Sequence, residues 1–288
     1  MEIPLSQLLF NGITLGSIIA LTAVGLTLTY GILRLSNFAH GDFMTLGAYL
    51  TWVANINGVN LWLAMGLGMG GTIIAMLLSE WLLWKPMRDR RASSTTLIII
   101  SIGLALFIRN GILLVWGGEN QSYQGPVIQA QEFFGLKLEY NRLLVIGMAI
   151  AAMIALHFLL QKTKIGKAMR AVADNVDLAR VSGINVEWVV IWTWIITAVL
   201  TALGGSMFGL ITALKPNMGW FLILPMFASV ILGGIGNPYG AIAGGLIIGV
   251  AQEISVPWFG PEYKVGVALL LMIAILLVRP QGLFKGTA

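Results

Sequence analysis

A short polar cluster interrupts the apolar sequence in the stretch LSNFAHGDFMTLGAYL, residues 35–50. Asn37, His40 and Asp42 fall within six residues, with Gly41 between the last two. An imidazole and a carboxylate this close could relay a proton or contact a transported solute, and both are costly near hydrocarbon. Two interpretations stay open. Asp42 caps a helix that begins at Phe43, or the cluster is a helix break that faces a cavity.

The elements that must position this cluster are membrane helices. The chain of 288 residues is 58% hydrophobic and only 10% charged, and its mean hydropathy is +0.88. Apolar runs of roughly 20 residues recur along the chain, which is the length that crosses a hydrocarbon core of about 30 Å. We therefore predict an all-α polytopic membrane protein and exclude a soluble globular domain.

The apolar runs predict about eight or nine transmembrane or partial helices in one domain that covers residues 1–288. With nine crossings, the model we prefer, the N-terminus lies outside and the C-terminus inside. Eight crossings with one re-entrant piece and an inner N-terminus are the alternative. The first apolar run is too long for the hydrophobic region of a cleaved signal peptide, so we expect it to remain as a helix.

The basic residues predict the orientation of these helices. Twelve of the 17 lysines and arginines fall on one side when the spans are counted alternately. They lie in the segments 85–91 and 162–180 and at Arg34, Arg279 and Lys285. By the positive-inside rule this side is the cytoplasm. The same distribution accounts for the pI of 9.6 without a nucleic-acid partner.

Glycines recur in pairs four residues apart, and such pairs let helices approach closely in lipid. We predict packing faces at Gly12/Gly16, Gly66/Gly70, Gly205/Gly209 and Gly245/Gly249. Gly66, Gly68 and Gly71 also match the dinucleotide fingerprint GxGxxG. That motif follows a strand and opens a helix, whereas this one lies inside an apolar run, so we reject the match.

We expect neither a catalytic site nor a cofactor in this chain. The sequence contains no GxxxxGK[ST] loop and no HExxH, and Ser206 lacks a GxSxG setting. With no cysteine and only two histidines, it offers no disulfide and no convincing metal site. His157, alone in an apolar run, is more typical of a packed, hydrogen-bonded histidine.

Residues 162–187 form a separate basic segment between two long apolar runs. Ile165, Met169, Val172, Val176 and Ala179 recur at helical spacing and predict one amphipathic helix, and Ser182-Gly183 predicts its end. Its apolar face could lie on the lipid surface or dock in a groove on a partner.

The remaining polar residues of the apolar runs have local explanations as well as functional ones. Arg109 either reaches outward to the membrane surface, pairs with an acid or faces a pathway. Glu80 is expected to reach the inner surface of the membrane.

Gln252 and Glu253 lie near an outer helix end, where a port could receive an ammonium group. Asn237 lies in the turn GGIGNPYG, and NFAHGDF and GIGNPYGA suggest paired breaks in two weakly related halves.

Four stretches resemble one family, the LivH-type permeases of branched-chain amino-acid ABC transporters. They are GSIIALTAVGLTLTYGILRLSNFAHGDFMTLGAY, IGKAMRAVADNVDLARVSGIN, ILGGIGNPYGAIAGGLIIG and LLVRPQGLF. The resemblance implies a bacterial inner-membrane subunit that works with a second permease, expected to be a different paralogue. It also implies two cytoplasmic ATPase subunits that hydrolyse ATP with Mg²⁺, and a periplasmic solute-binding protein.

The resemblance further implies that residues 162–187 seat in the ATPase. The implied coupling residues are Gly166, Lys167, Met169, Arg170, Val172, Asp174, Val176, Arg180 and Gly183. For the substrate pathway we select Asn37, His40, Gly41, Asp42, Asn237, Gln252 and Glu253.

Three other functions stay open from the sequence. A urea or short-amide ABC permease is the nearest alternative. A self-powered secondary transporter would use His40, Asp42 and Arg109 as a proton relay. The small number of acidic residues within the apolar runs argues against this function. A membrane enzyme would depend on Ser206 or His157.

Overall fold

The computed structural model describes residues 4–125, 131–133 and 136–284, which form helices, short loops and one β-hairpin. The helices are α1 (Leu5–Leu33), α2 (His40–Ile56), α3 (Leu61–Ser79), α4 (Lys85–Asp89), α5 (Ser94–Trp116), α6 (Tyr140–Lys162), α7 (Lys164–Asp174), α8 (Val176–Val181), α9 (Val186–Ile211), α10 (Met218–Gly233), α11 (Pro238–Ile254), α12 (Val256–Phe259) and α13 (Lys264–Val278). A π-helical turn, Glu80–Trp84, joins α3 to α4, and a 3₁₀ turn, Pro261–Tyr263, precedes α13. Strands β1 (Gln131–Phe133) and β2 (Leu136–Leu138) pair antiparallel.

The prediction of an all-helical membrane protein is confirmed. Within the described residues, six helices are long and apolar enough to cross a membrane: α1, α3 with α4, α5, α6, α9, and α13 with its 3₁₀ turn. The predicted total of eight or nine is reached only when the shorter helices α2, α10 and α11 are included, which have 17, 16 and 17 residues. Two related halves are not evident from this arrangement.

The basic segments come together at one end of the molecule. Arg34, Lys85, Arg88 and Arg180 line a single cavity of about 690 Å³ between α1, α4, α8 and α9. We call this the basic end, and the other end of the bundle the opposite end. Lys285, counted with the basic residues of this side, lies outside the described residues.

The span after α1 is broken deep within the bundle. Residues 34–39 lead back along α1, and α2 begins at His40, whose Nε2 lies 2.9 Å from the carbonyl oxygen of Thr22. Thr22 is 11 residues before the end of α1, or roughly 16 Å along its axis. The capping interpretation is wrong, because Asp42 lies in the first turn of α2 and no side chain there caps the helix.

A second broken span meets the first. Residues 212–217 follow α9, and Leu214 forms an isolated β-bridge with Gln121. Helix α10 then begins beside α2, where the Gly219 N–H donates to Thr45 Oγ1 at 3.0 Å. The chain order implies that α2 runs from this point to the opposite end and α10 to the basic end. The stretch GIGNPYGA forms the turn between α10 and α11, as predicted, and its pairing with NFAHGDF stays a prediction.

Two of the glycine pairs form packing faces, as predicted, and these faces meet in the most extensive helix contact of the bundle. Helix α1 packs along α11, and Gly16 and Gly249 face each other so closely that a Cβ on Gly249 would overlap the Gly16 backbone. A Cβ on Gly12 would lie 2.7 Å from Val250 Cα. Gly66 and Gly70 have no atom within 4 Å of a Cβ position, so this pair forms no packing face within the described chain.

Replacing Gly249 with alanine should therefore destabilise the protein. Alanine favours a helix over glycine by about 0.5–1 kcal/mol, but overpacking costs about 1–3 kcal/mol. Gly147→Ala is the matched control, because a Cβ at Gly147 in α6 meets nothing within 4 Å. We expect the melting temperature in detergent to fall for Gly249→Ala and to hold or rise for Gly147→Ala. Equal shifts in both variants would contradict this packing.

Candidate functional site

The starts of α2 and α10 touch through their backbones. A Cβ on either Gly41 or Gly219 would overlap the carbonyl group of the other residue. Thr45 Oγ1 accepts the Gly219 N–H, one of the backbone donors that a helix start leaves without a partner in its own helix. The two short helices therefore meet in the bundle with no side chain between them at this point.

A buried ion pair lies beside this meeting point. Arg109 of α5 donates from Nε to Asp42 Oδ1 and from Nη2 to Asp42 Oδ2, both at 3.0 Å. The Asp42 side chain is fully buried and that of Arg109 is 17% exposed. The Trp220 ring of α10 lies over the guanidinium, 4.4 Å from its carbon to the ring centroid. One cation thus contacts both broken spans.

This geometry decides among the alternatives for Arg109. The residue lies 15 positions from the start of α5 and seven from its end, or roughly 22 Å and 10 Å. It pairs with an acid, as one alternative stated, and the interpretation that it reaches outward to the membrane surface is wrong.

His40 and Asn37 are packed into the bundle. His40 Nε2 lies near the Thr22 carbonyl oxygen and 3.2 Å from Thr201 Oγ1. Asn37 Oδ1 accepts the Ala39 N–H at 3.1 Å. Both side chains are fully buried. In the described part of the chain no hydrogen bond joins His40 to Asp42, so the geometry supplies no direct proton relay between them.

A cavity of about 720 Å³ opens at the opposite end between α1, α9, α10, α11 and α13. We call it the Gln252 cavity. Glu253 and Lys264 form an ion pair of 2.5 Å in its wall, and Gln252 Nε2 donates to the Lys264 carbonyl oxygen at 3.0 Å. The cavity reaches the start of α10, and its lining includes Arg142, Lys215, Asn217, Met218, Phe208, Phe221 and Leu222.

Asn237 lies far from these two sites, at the basic end. Its Oδ1 accepts the N–H groups of Tyr239 and Gly240 at 3.0 and 3.1 Å, so it caps α11. It also lines a cavity of about 540 Å³ together with Met169, Arg170 and Asp174. The structure thus distributes the predicted pathway residues over three levels of the bundle rather than one site.

The basic segment 162–187 contains two helices, not the one predicted. Helix α7 ends at Asp174, and α8 begins at Val176. Asn175 between them is extended, with φ −152° and ψ 110°, and its side chain accepts the Leu178 N–H at 2.9 Å. An asparagine favours such a cap over a helical interior, while the apolar spacing continues through it.

The apolar face of this segment points into the core of the helix bundle. Met169, Val172 and Ala179 are buried, and a Cβ on Gly166 would overlap the backbone of Leu159 and Leu160. The prediction that this face docks in a partner groove is therefore wrong for these residues. The exposed members of the predicted coupling set are Lys167, Arg170, Asp174, Val176, Arg180 and Gly183. Leu178 and Val181, which the prediction did not include, are 61% and 81% exposed.

Comparison with known proteins identifies the chain. A family model described as "Branched-chain amino acid transport system / permease component" matches residues 8–276. The chain belongs to this family. As a branched-chain amino acid permease component it is a multi-pass membrane protein, and the family is a transport family rather than an enzyme family.

Individual relatives agree with this assignment. The permease is 32% identical to the high-affinity branched-chain amino acid transport system permease protein LivH of Salmonella typhimurium, over 96% of this chain and 94% of that protein. It is 29% identical to BraD of Pseudomonas aeruginosa over the same shares. PsaBC from Streptococcus pneumoniae, solved with a Fab, has a TM-score of 0.54 at 10% identity, covering 94% and 91% of the two chains. That likeness shows the fold alone.

One buried group of the permease was missed from the sequence. Glu80, expected at the membrane surface, is buried; it accepts two hydrogen bonds from Arg88 and one from Trp194 Nε1 at 2.8 Å. It begins the π-helical turn, which changes the faces that later residues present. The only available sequence signal was a lone acid followed eight residues later by an arginine.

Proposed function

We propose that this permease is the membrane subunit of an ABC importer that carries branched-chain or other neutral amino acids across the bacterial inner membrane. The observation that carries the proposal is the family match over residues 8–276. Names of relatives such as LivH and BraD assign them to high-affinity branched-chain amino acid transport. ATP with Mg²⁺ would be hydrolysed on separate ATPase subunits, because the family's role is that of a permease component.

The Gln252 cavity has the chemistry of a port for a zwitterion with an apolar side chain. Lys215 offers a cation to a carboxylate. Glu253 would accept an ammonium group when its ion pair with Lys264 opens, which would also free the Lys264 cation. Phe208, Phe221 and Leu222 supply apolar wall. By the positive-inside rule the basic end is cytoplasmic, so this cavity would face the periplasm and a solute-binding protein.

The contact between α2 and α10 would be the constriction on the pathway. Asn37, His40, Gly41 and Asp42 are buried there, and the Gly41–Gly219 contact leaves no room for a solute. Asn237 would lie near the cytoplasmic exit. Passage therefore requires the two short helices to separate, as alternating access demands.

The ATPase would contact the exposed surface of residues 162–187. Arg180 and the apolar side chains of Leu178 and Val181 are exposed on α8. Helix α7 is fixed to the bundle by Met169 and Val172, so a force applied to α8 would reach the core. A second permease subunit, expected to be a paralogue, would complete the pathway.

Transport by the complete complex tests the proposed function. We expect proteoliposomes that contain this permease, its co-purifying subunits and a loaded binding protein to accumulate labelled leucine only with hydrolysable ATP and Mg²⁺. Uptake by this chain alone under a proton gradient would favour a secondary transporter. Preference for urea or a short amide over leucine would assign a different substrate class.

Reversing one exposed charge tests the contact with the ATPase. Arg180→Glu should reduce co-purification of the ATPase and leucine uptake by roughly tenfold, because an interfacial charge contact of about 1.4 kcal/mol is replaced by repulsion. We avoid Arg170, because its guanidinium donates to the Leu160 carbonyl oxygen and helps to hold α7. Lys215→Glu, on the opposite end, is the control and should leave ATPase co-purification unchanged. Equal ATPase recovery in both variants would exclude a contact at Arg180.

A further inference from the structure

We infer that Arg109 recognises the carboxylate of the amino acid as it passes the constriction, and that Asp42 is the positioning residue that orients it. The inference rests on the proposed function and adds to it a residue that selects the substrate class. A guanidinium carries five N–H donors in a fixed plane, which suits a carboxylate.

The guanidinium of Arg109 is held in place by its neighbours, but not all of its N–H donors have a hydrogen-bond partner. Asp42 occupies Nε and Nη2, and Trp220 covers one face of the group. In the described part of the chain, the two N–H groups of Nη1 have no hydrogen-bond partner. The remaining exposure of 17% shows that the side chain is not sealed in the bundle.

Arg109 lies where the buried contact between α2 and α10 meets the exposed, largely apolar face of α5. A cation this far inside a span faces a cavity or a protein neighbour, since exposure to hydrocarbon is costly. Asn110, the next residue of α5, is also exposed. Trp220 and Phe221 are 38% and 58% exposed, and Phe221 lines the Gln252 cavity. Arg109 does not line this cavity itself, but it contacts Trp220, the residue that precedes Phe221 of the cavity wall.

The local charge favours an anionic group. Asp42 balances the charge of Arg109, but the starts of α2 and α10 meet here and each contributes a partial positive charge. These partial charges favour a further negative group at this depth. The apolar side chains of Phe221 and Leu224, on the same helix as Trp220, are exposed and could contact an aliphatic tail. An amino acid offers both groups, whereas urea and simple amides lack the carboxylate.

A purely structural role is the competing explanation, and the double variant Asp42→Asn/Arg109→Gln separates the two. The two amides can hydrogen-bond each other, so no buried charge is left unpaired. We expect this variant to assemble and to hydrolyse ATP at nearly the wild-type rate when the loaded binding protein is added. Leucine imported per ATP should fall by at least about tenfold, the cost of one charge-assisted hydrogen bond. Wild-type import per ATP would overturn the inference.

Arg109→Lys decides the matter if the double variant fails to assemble. Lysine keeps the positive charge beside Asp42, but it lacks the planar guanidinium and therefore the N–H donors that Asp42 leaves free. We expect a similar loss of import per ATP with normal assembly, and unchanged import would overturn the inference. Asn110→Ala is the control at the next, exposed residue of α5 and should import leucine normally. Failure of the proposed function would look different, because the wild-type complex itself would then show no ATP-driven leucine uptake.

Discussion

The ion pair between Asp42 and Arg109 is the interaction on which the centre of this permease depends. A carboxylate and a guanidinium are tolerated at this depth only when each satisfies the other. The pair fixes the first turn of α2 to α5, and the ring of Trp220 brings in the first turn of α10. Two spans that would otherwise expose helix starts in the interior are thereby held together.

Close backbone packing surrounds this pair. Gly41 and Gly219 allow the two short helices to touch, and Gly16 and Gly249 allow α1 to lie against α11. Such contacts leave almost no free space between the two backbones, because a single added methyl group would overlap a backbone atom. A bundle of this kind moves by separating elements rather than by deforming them, which suits a transporter that opens to one side at a time.

Much of this architecture follows from sequence, and the exceptions have physical causes. Hydropathy predicts the helical class, glycine spacing predicts packing faces on what became α1 and α11, and the cluster at Asn37–Asp42 leaves a broken span as one of two alternatives. The sequence allowed Arg109 to pair with an acid but could not select Asp42, because the two residues are 67 positions apart and no local pattern links them. The apolar face of α7 was assigned to a partner, because an amphipathic segment looks the same whether it covers its own core or another protein. The π-helical turn that buries Glu80 has no clear sequence signal.

Two extended segments, residues 34–39 and 212–217, enter the membrane from opposite sides and meet in its interior. The sequence contains no cysteine, so single cysteines can be placed at the exposed residues Arg34 and Ala213 and treated with a membrane-impermeant maleimide. Arg34→Cys should react only in inside-out vesicles, and Ala213→Cys only in right-side-out vesicles or spheroplasts. Labelling of both cysteines from the same side would show that the two segments do not enter from opposite sides.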